Sequence, residues 1–399
     1  MKTLCGETPA FLLGLVIAFL MTVALFCFDI YYPSLPEMAV DFSSSNAMLQ
    51  FSVALYFLPL AFSQLLFGWM SNSFGRKNIL LVGTVVAFLG SLLCSVSRTV
   101  PVFLVGRFLQ GVGVGAYYAL TRAIMRDVFE GKQLARFNSL VSAVLSISPC
   151  FAPILGSYLH VCFGWRANFV FLCFLFCIAF VSIYRLLPET GSGTFHMRRK
   201  EYLSFLLSRS YLGYLSCSAL SYSGIVVYLS LAPFIFENTF AFTPVEFSLT
   251  SLWVMIGLTM GALANSWLVS KWSLNVLVFW SAVVMSVSGG AVLLLVHYIS
   301  SVYVIIFPSI LFVFSSNIIL SNSASGALTP VSRQAIGPAT ALFGCVQVLG
   351  PALAGFCLTL IPFMNVLVLG AAYLLIGISI MWMVSLTTSG SIIRDCCDQ

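Results

Sequence analysis

Charged residues are scarce in this chain of 399 residues, since Asp, Glu, Lys and Arg together make up 8% of it. Soluble domains average about 25% charged residues, so this composition leaves too little polar surface to face water. Hydrophobic residues account for 60% of the chain, and phenylalanine alone occurs 36 times. The composition therefore predicts an α-helical, polytopic protein whose solvent is lipid.

Motifs of nucleotide-driven and enzymatic chemistry are also missing. The sequence has no G-x-x-x-x-G-K-[ST] phosphate loop, no nucleophile elbow and only 3 histidines. Most of its 12 cysteines stand singly in apolar runs, and Cys173 and Cys177, which share a helix face, have no His or carboxylate beside them. We therefore expect no disulfide framework, metal, cofactor or catalytic residue, and no enzyme activity.

Apolar runs of about 20 residues, the length that spans a bilayer, recur along the whole chain. Residues 1–32 resemble a signal peptide, but no small-x-small cleavage site follows, so we interpret the run as a retained first helix. The predicted fold class is an all-α polytopic membrane protein with twelve transmembrane helices in two six-helix halves. The predicted spans lie near residues 10–32, 47–71, 78–97, 101–124, 138–161, 167–187, 211–236, 247–270, 273–296, 301–325, 338–361 and 365–387.

Basic residues are distributed unevenly among the connections. With a cytoplasmic N-terminus, only Arg98 and Arg166 of the 18 Lys and Arg fall in outer loops, and Arg107 falls within a helix. The bias predicts a multi-pass protein of the cell (inner) membrane with both termini cytoplasmic. The inner segments hold Lys2, Arg76, Lys77, Arg122, Arg126, Lys132, Arg136, Arg185, Arg198, Arg199, Lys200, Arg209, Lys271, Arg333 and Arg394.

One long polar stretch, Pro188 to Ser210, separates six predicted helices from six and contains the cluster Arg198-Arg199-Lys200. We interpret it as a cytoplasmic linker whose basic cluster lies near anionic lipid. The predicted organisation is an N-terminal six-helix bundle (1–187), the linker (188–210), a C-terminal six-helix bundle (211–387) and a cytoplasmic tail (388–399).

The two halves show faint self-similarity. The stretch Gly68-Trp-Met-Ser-Asn72-Ser73 resembles Gly261-Ala-Leu-Ala-Asn265-Ser266, and Pro153-Ile-Leu-Gly156 resembles Pro351-Ala-Leu-Ala-Gly355. Both pairs are separated by about half the chain length. Together they favour duplicated six-helix halves, which in transporters enclose a site at the membrane midplane.

Only two charges lie well inside predicted helices, Asp29 in the first and Arg107 in the fourth. A charge at the bilayer centre costs about 2.5–3.5 kcal/mol, so it normally faces a cavity or a partner. Counted from the outer helix ends, the two depths differ by about 5 Å, which predicts that the two side chains interact. Asp29 is interpreted as a carboxylate that binds and releases a proton; the alternative is an interfacial residue that caps the outer helix end.

The fourth helix carries further candidate residues around Arg107. Tyr118 and Gln110, together with Tyr32 of the first helix, are candidates for the substrate cavity. The glycines of the fourth helix predict close approach by a neighbouring helix. The stripe at helical spacing consists of Arg107, Gly111, Gly115, Tyr118 and Arg122.

Prolines mark the fifth helix. Pro149 and Pro153 each remove a backbone hydrogen bond, and Gly156 follows them. They predict a bent helix that either rocks and shapes a cavity wall or holds a static kink.

Several motifs resemble the major facilitator superfamily and, within it, the Bcr/CflA branch of drug–proton antiporters. The specific ones are Asp29-Ile-Tyr-Tyr-Pro33-Ser-Leu-Pro36 and Arg122-Ala-Ile-Met-Arg126-Asp127. The resemblance implies twelve helices, a role for Arg107 in proton coupling and a role in conformational change for the other motif residues. More widely shared motifs lie at Gly68 to Lys77 (including Asn72, Gly75 and Arg76), Arg107 to Gly111, Pro149 to Gly156 and Gly337 to Gly355.

One position departs from the family's pattern. The loop motif normally has Asp followed by Arg where this chain has Asn72 and Ser73. The resemblance implies that a charge interaction with the helix bundle is weakened here, which affects transport rate rather than fold.

These observations favour proton-driven export of an amphipathic drug or metabolite as the function. Proton-coupled or facilitative uptake of a small metabolite is a second transport hypothesis. A non-transporting receptor or scaffold is a third, and the lack of an extramembrane domain argues against it. The expected partners are a small-molecule substrate, protons and the lipid bilayer, without nucleic acid, and the protein is expected to be a monomer.

Overall fold

The computed structural model describes residues 10–190, 208–299, 301–329, 331, 336–361 and 364–387. The basic cluster Arg198-Arg199-Lys200, most of the predicted linker and the predicted tail lie outside the described residues. Within these ranges the regular structure is helical, which confirms the predicted all-α class.

The helices are numbered in chain order. Those before the predicted linker are α1 (Ala10–Asp29), α2 (Leu35–Asp41), α3 (Asn46–Phe74), α4 (Arg76–Val96), α5 (Val100–Val128), α6 (Gly131–Phe163) and α7 (Arg166–Leu186), with a short 3-10 helix at Tyr32–Ser34. Those after it are α8 (Arg209–Phe240), α9 (Pro244–Leu268), α10 (Leu274–Leu295), α11 (Tyr303–Leu328), α12 (Ile336–Thr359) and α13 (Val366–Thr387).

The first predicted span ends earlier than the apolar pattern implied. It was expected to reach residue 32, but α1 stops at Asp29 and the chain continues into the 3-10 helix and α2. Pro33 lacks the N–H that would bond to the carbonyl of Asp29, so the helix loses its ladder at this point. The break puts Asp29 at the end of α1, directly before the residues that lead into the 3-10 helix.

Other helices run beyond their apolar runs. The fourth span was predicted to end at residue 124, whereas α5 continues to Val128. Asp127 therefore lies in the last turn of α5 instead of in a loop. Gly75, between α3 and α4, has a φ of 86°, a left-handed conformation that favours glycine.

The chain divides into two compact units, Met1–His196 and Met197–Gln399. In the N-terminal unit α5 packs against α3 and α4, α4 packs against α7, and α1 packs against α5, α6 and α7. In the C-terminal unit α11 packs against α9 and α10, α10 packs against α13, and α8 packs against α11, α12 and α13. The two patterns are the same, as the predicted duplication of a six-helix half requires.

The surface is that of a membrane protein. Eleven helices in the described ranges are long and apolar enough to cross a bilayer, and α6 contains a shorter apolar stretch, Ile147–Phe163. Large apolar side chains face outwards, among them Trp69 (70% exposed), Trp253 (64%) and Phe163 (77%). Apolar groups of this size are stable at the surface when lipid covers them.

Successive long helices of the N-terminal unit run in opposite directions, so their connections lie at two ends of the bundle. We name each end after one of its residues. The Tyr32 end comprises residues 30–45, 97–99 and 164–165, and the Gly75 end comprises Gly75, residues 129–130 and residues 187–190. The positive-inside bias predicts that the Gly75 end is cytoplasmic.

Candidate functional site

Asp29 is completely buried, and neither of its carboxyl oxygens has a hydrogen-bond partner among the described residues. It faces α6, where the Cys150 thiol lies within electrostatic reach of the carboxyl group. The two helices are close here, since a Cβ on Gly156 would lie 1.8 Å from the backbone oxygen of Ile30. A charge in this environment is unfavourable without a donor, and a bound proton removes that cost.

Arg107 is also buried, with 1% of its surface exposed, but unlike Asp29 it is well held. Its Nη1 donates to the carbonyl of Cys27 at 3.0 Å and to the Oε1 of Gln110 at 2.6 Å. Its guanidinium carbon lies 4.3 Å from the ring centre of Tyr31 and 4.4 Å from that of Tyr56. Two aromatic faces and two oxygen acceptors stabilise the charge without a carboxylate.

The predicted interaction between Arg107 and Asp29 is wrong, because these two described residues form no ion pair and Arg107 bonds elsewhere. Successive helix residues are rotated by about 100°, so Cys27 and Asp29 point in nearly opposite directions. Arg107 lies on the side of Cys27 and Tyr31, whereas Asp29 faces α6. Similar depth was thus a poor guide, since it ignored the direction of each side chain.

The three candidates for the substrate cavity have different surroundings. Gln110 is fully buried, and its Nε2 donates to the Oγ of Ser91 at 2.7 Å while its Oε1 accepts from Arg107. Tyr32 is also fully buried and stacks on Tyr31, whereas Tyr118 is partly exposed. Gln110 therefore positions Arg107, and a role in substrate binding stays a prediction for all three.

The glycines of α5 permit close helix packing, as the sequence predicted. A Cβ on Gly111 would lie 2.1 Å from the backbone oxygen of Tyr56, and one on Gly115 would lie 1.9 Å from the Oγ of Ser63. Both contacts are to α3. The close approach of α3 to α5 places the Tyr56 ring against the Arg107 guanidinium. The glycine spacing of α5 therefore helps to build the surroundings of the buried charge.

The prolines of the fifth span lie inside α6, which continues through both Pro149 and Pro153. Each removes one hydrogen bond from the helix ladder. Because Cys150 faces Asp29 between them, the weakened part of α6 lies beside the buried carboxyl. A rocking motion at these prolines stays a prediction.

At the Gly75 end, charged groups join three helices. Arg76 forms an ion pair with Asp127, which links the start of α4 to the end of α5. The carboxylate of Glu189 accepts from the backbone N–H of Arg76 at 2.7 Å and from that of Lys77 at 3.2 Å. The Lys77 Nζ in turn donates to the carbonyl of Tyr184 in α7 at 2.8 Å. Glu189 thus caps α4, where a negative charge is favourable.

Glu189 was not predicted from the sequence, although it directly follows Pro188 at the end of the sixth span. Other motif positions at the Gly75 end are less enclosed by the protein. Asn72 and Arg122 are partly exposed, and a side chain at Gly68 would meet open space. The conformational roles of Gly68, Asn72 and Arg122 therefore stay predictions.

The Tyr32 end contains a buried histidine that was not predicted from the sequence as a site residue. His160 of α6 is 4% exposed. Its Nδ1 lies 2.7 Å from the Oγ of Ser34, and its Nε2 lies 2.5 Å from the Oε2 of Glu37. The amide nitrogen of Asn168 in α7 donates to the same Ser34 Oγ at 3.1 Å.

A second set of polar contacts, centred on Arg166, links segments of the Tyr32 end. The Nη1 of Arg166 lies 2.8 Å from the Oδ2 of Asp41, and its Nη2 donates to the carbonyl of Ser97 at 3.0 Å. The indole of Trp165 donates to the same carboxylate at 3.0 Å. Both Arg166 and Asp41 are about two-fifths exposed, so solvent screens this pair.

Sequence comparison identifies the family. A profile of the Major Facilitator Superfamily matches residues 17–355, which is most of the chain. The chain belongs to the Major Facilitator Superfamily. It is therefore a multi-pass membrane transporter of small molecules and not an enzyme, as the sequence motifs predicted.

Individual relatives show which branch of this superfamily the chain resembles. The chain is 29% identical over 332 residues to the multidrug resistance protein MdtL of Citrobacter koseri, covering 82% of this chain and 83% of the relative. It is 25% identical over 347 residues to the bicyclomycin resistance protein homolog of Haemophilus influenzae, covering 86% and 87%. The resemblance to the Bcr/CflA branch is thereby confirmed.

Solved structures share the fold at low sequence identity. A D-xylose–proton symporter matches with a TM-score of 0.74 at 16% identity over 93% of this chain and 97% of the symporter. A bacterial homolog of the lysosomal transporter Spinster matches with a TM-score of 0.72 at 12% identity over 98% and 96%. They support the predicted twelve-helix architecture.

Proposed function

We propose that this transporter exports small amphipathic drugs or metabolites across the inner membrane in exchange for protons. The observation that carries the proposal is Asp29, a completely buried carboxyl group without a partner among the described residues. A group that is costly when charged and stable when protonated is suited to carrying one proton through a conformational cycle. The relatives named for multidrug and bicyclomycin resistance support export as the direction.

In the proposed cycle Asp29 alternates between two environments. The described environment, closed by α6, favours the protonated carboxyl. A second arrangement that brings water to Asp29 allows the proton to leave, because water stabilises the carboxylate. Substrate that occupies the transporter only when Asp29 is deprotonated would then be exchanged for the proton.

Arg107 is proposed to act on α1 and not directly on the proton. It binds the carbonyl of Cys27, two residues before Asp29, and lies against Tyr31, two residues after it. Arg107 therefore contacts the chain on both sides of Asp29. Any change in the position of Arg107 therefore moves the turn that carries Asp29.

Orientation is part of the proposal, with the Gly75 end and both termini in the cytoplasm. We expect reporter fusions after Glu7 and after Ser389 to show cytoplasmic activity. A fusion within residues 164–165, at the Tyr32 end, is the matched control and should show periplasmic activity. An external signal from either terminus would contradict the orientation.

Asn72 provides a test of the Gly75 end. Asn72→Asp restores the carboxylate that the family's loop motif usually has, close in sequence to the amide groups that start α4. Because Asn72 lies in the last turn of α3 and just before the start of α4, we expect the transport rate to change about two- to fivefold while expression stays similar, the equivalent of 0.3–1 kcal/mol for a charge at a helix end. Asn238→Asp, which adds the same charge at an exposed position of α8 in the C-terminal unit, is the control. An equal rate in Asn72→Asp and the parent protein would show that Asn72, in place of the family's usual Asp, does not affect transport.

Export is tested by growth in a host that lacks its own multidrug transporters. Expression of the protein should raise the inhibitory concentration of at least one amphipathic compound in a panel, and accumulation of that compound in cells should fall. Increased accumulation of a panel compound would instead support uptake. Unchanged accumulation of every compound would contradict drug export.

A further inference from the structure

We propose that Glu37 and His160 form a second proton-binding site, separate from Asp29, at the Tyr32 end of the N-terminal unit. Its function is to make transport depend on the pH of the solution at that end. The effect on transport rests on the proposed proton exchange, whereas proton binding by the pair does not.

The geometry around His160 is suited to two protonation states. When the ring is neutral with its proton on Nε2, it donates to the Glu37 carboxylate at 2.5 Å, and Nδ1 accepts from the hydroxyl of Ser34 at 2.7 Å. When the ring binds a further proton at Nδ1, the Ser34 hydroxyl rotates and accepts instead. His160 therefore keeps both hydrogen bonds whether or not the extra proton is bound.

Asn168 fixes Ser34 in the position that this exchange requires. Its amide donates to the Ser34 Oγ at 3.1 Å and occupies one of the two acceptor sites of the hydroxyl. The second acceptor site and the hydroxyl proton remain for His160. The buried ring therefore has a carboxylate acceptor at Nε2 and, at Nδ1, a hydroxyl that can donate or accept, which distinguishes it from an isolated core histidine.

Solvent reaches the pair through Glu37. The side chain of Glu37 is 56% exposed, while that of His160 is 3% exposed. A proton from solution can thus arrive at an accessible carboxylate and be held by a buried imidazole. Before binding, the pair consists of a neutral ring and a carboxylate; after binding, it is an imidazolium–carboxylate ion pair, so one proton is taken up and no other group changes.

Other charged and titratable groups surround this end but do not bond to the histidine. On the elements packed around α6 they are Asp29 on α1, Tyr32 on the 3-10 helix, Glu37 and Asp41 on α2, Arg107 on α5 and Arg166 on α7. Of these, only Glu37 is in hydrogen-bond contact with His160 in the described structure. Asp41 and Arg166 are paired with each other.

The position of the site explains how it would act on transport. Ser34 and Glu37 belong to the segment that begins directly after Asp29, and His160 lies one helical turn beyond Gly156, which contacts Ile30. Binding a proton converts the hydrogen bond between a neutral ring and a carboxylate into an imidazolium–carboxylate ion pair, which adds Coulomb attraction to the contact. A bound proton therefore fastens the segment next to Asp29 to α6, and proton loss loosens it.

Proton binding is measured directly by nuclear magnetic resonance of ¹⁵N-labelled histidine. The chain has 3 histidines, so His196→Gln with His297→Gln leaves His160 as the single signal. We expect both ring nitrogens to report uptake of one proton as the pH is lowered, and Glu37→Gln to weaken proton binding about tenfold, since a nearby carboxylate stabilises the charged ring. Asp41→Asn, which removes the neighbouring carboxylate of α2, should leave the titration unchanged.

A ring that stays in one protonation state over this range, or a titration that Glu37→Gln does not alter, overturns the proton-binding site. Transport is then compared at several pH values on the Tyr32 side. Because proton exchange at Asp29 makes transport depend on pH by itself, we expect His160→Asn to retain substrate transport with a changed pH profile, and a profile identical to that of the parent protein overturns the role in transport. If the parent protein exchanges no protons but His160 still titrates with Glu37, the proposed function fails and the site stands.

Discussion

Asp29→Asn should reduce proton-driven substrate transport to the background of vesicles without the protein. Asparagine has nearly the same shape and is neutral, as the buried carboxyl is when protonated, so the protein should still fold and insert. It cannot release a proton, and the exchange therefore loses its driving force. Transport of labelled substrate into inside-out vesicles under a proton gradient measures the effect.

The matched control for this variant is Asp41→Asn. It also removes one carboxyl at the Tyr32 end, but from a side chain that is 43% exposed and paired with Arg166. We expect it to retain most of the transport activity, because exposed ion pairs contribute only about 0–1 kcal/mol. Full proton-driven transport by Asp29→Asn would show that Asp29 is not the coupling group.

Arg107→Ala should have the second large effect, through the fold of α1 and not through a direct contact with Asp29. The change leaves the Cys27 carbonyl without its guanidinium donor, leaves the Gln110 Oε1 only the Cys94 thiol at 4.0 Å, and opens space between two tyrosine rings. An unsatisfied buried acceptor costs about 1–3 kcal/mol, and the lost packing adds to this. We expect a lower thermal inactivation midpoint in detergent and loss of most transport.

Arg107→Lys distinguishes the contribution of the positive charge from that of the planar guanidinium group. Lysine keeps a cation between the two rings but not the planar group that donates to both acceptors, so transport should be partly retained. Because Arg107 does not contact Asp29, residual transport in the lysine variant should keep the pH dependence of the parent protein. A displaced pH profile would restore the direct interaction that the structure lacks.

Arg166→Ala is the control for the arginine variants. It removes an arginine of the same unit that is about two-fifths exposed, so its effect on the inactivation midpoint should be small. Equal losses in Arg166→Ala and Arg107→Ala would mean that the buried contacts of Arg107 have no special weight.

Much of the fold could be predicted from the sequence because lipid imposes a simple rule. A span needs about 20 apolar residues, and their recurrence was enough to predict twelve helices. The ends were less predictable. Pro33 ended α1 at Asp29, and the continuation of α5 to Val128 brought Asp127 to Arg76, since both depend on local hydrogen bonds that an apolar run does not report.

The candidate site was predictable in its residues but not in its contacts. Asp29 and Arg107 stood out because charges in apolar runs are rare, yet their side-chain directions needed the structure. Glu189 and His160 were overlooked because Glu189 lies just beyond a span and because only Asp, Glu, Lys and Arg were considered as membrane charges. Their importance comes from partners that lie more than a hundred positions away in sequence.

The central claim is that substrate leaves in exchange for protons bound at Asp29. Inside-out vesicles with an acidified lumen and a lumenal pH indicator test it most directly, after a panel compound has been identified. Adding that compound should make the lumen more alkaline in vesicles with the parent protein and leave it unchanged with Asp29→Asn. Substrate entry without alkalinisation in the parent protein, or equal alkalinisation in both, would contradict the account.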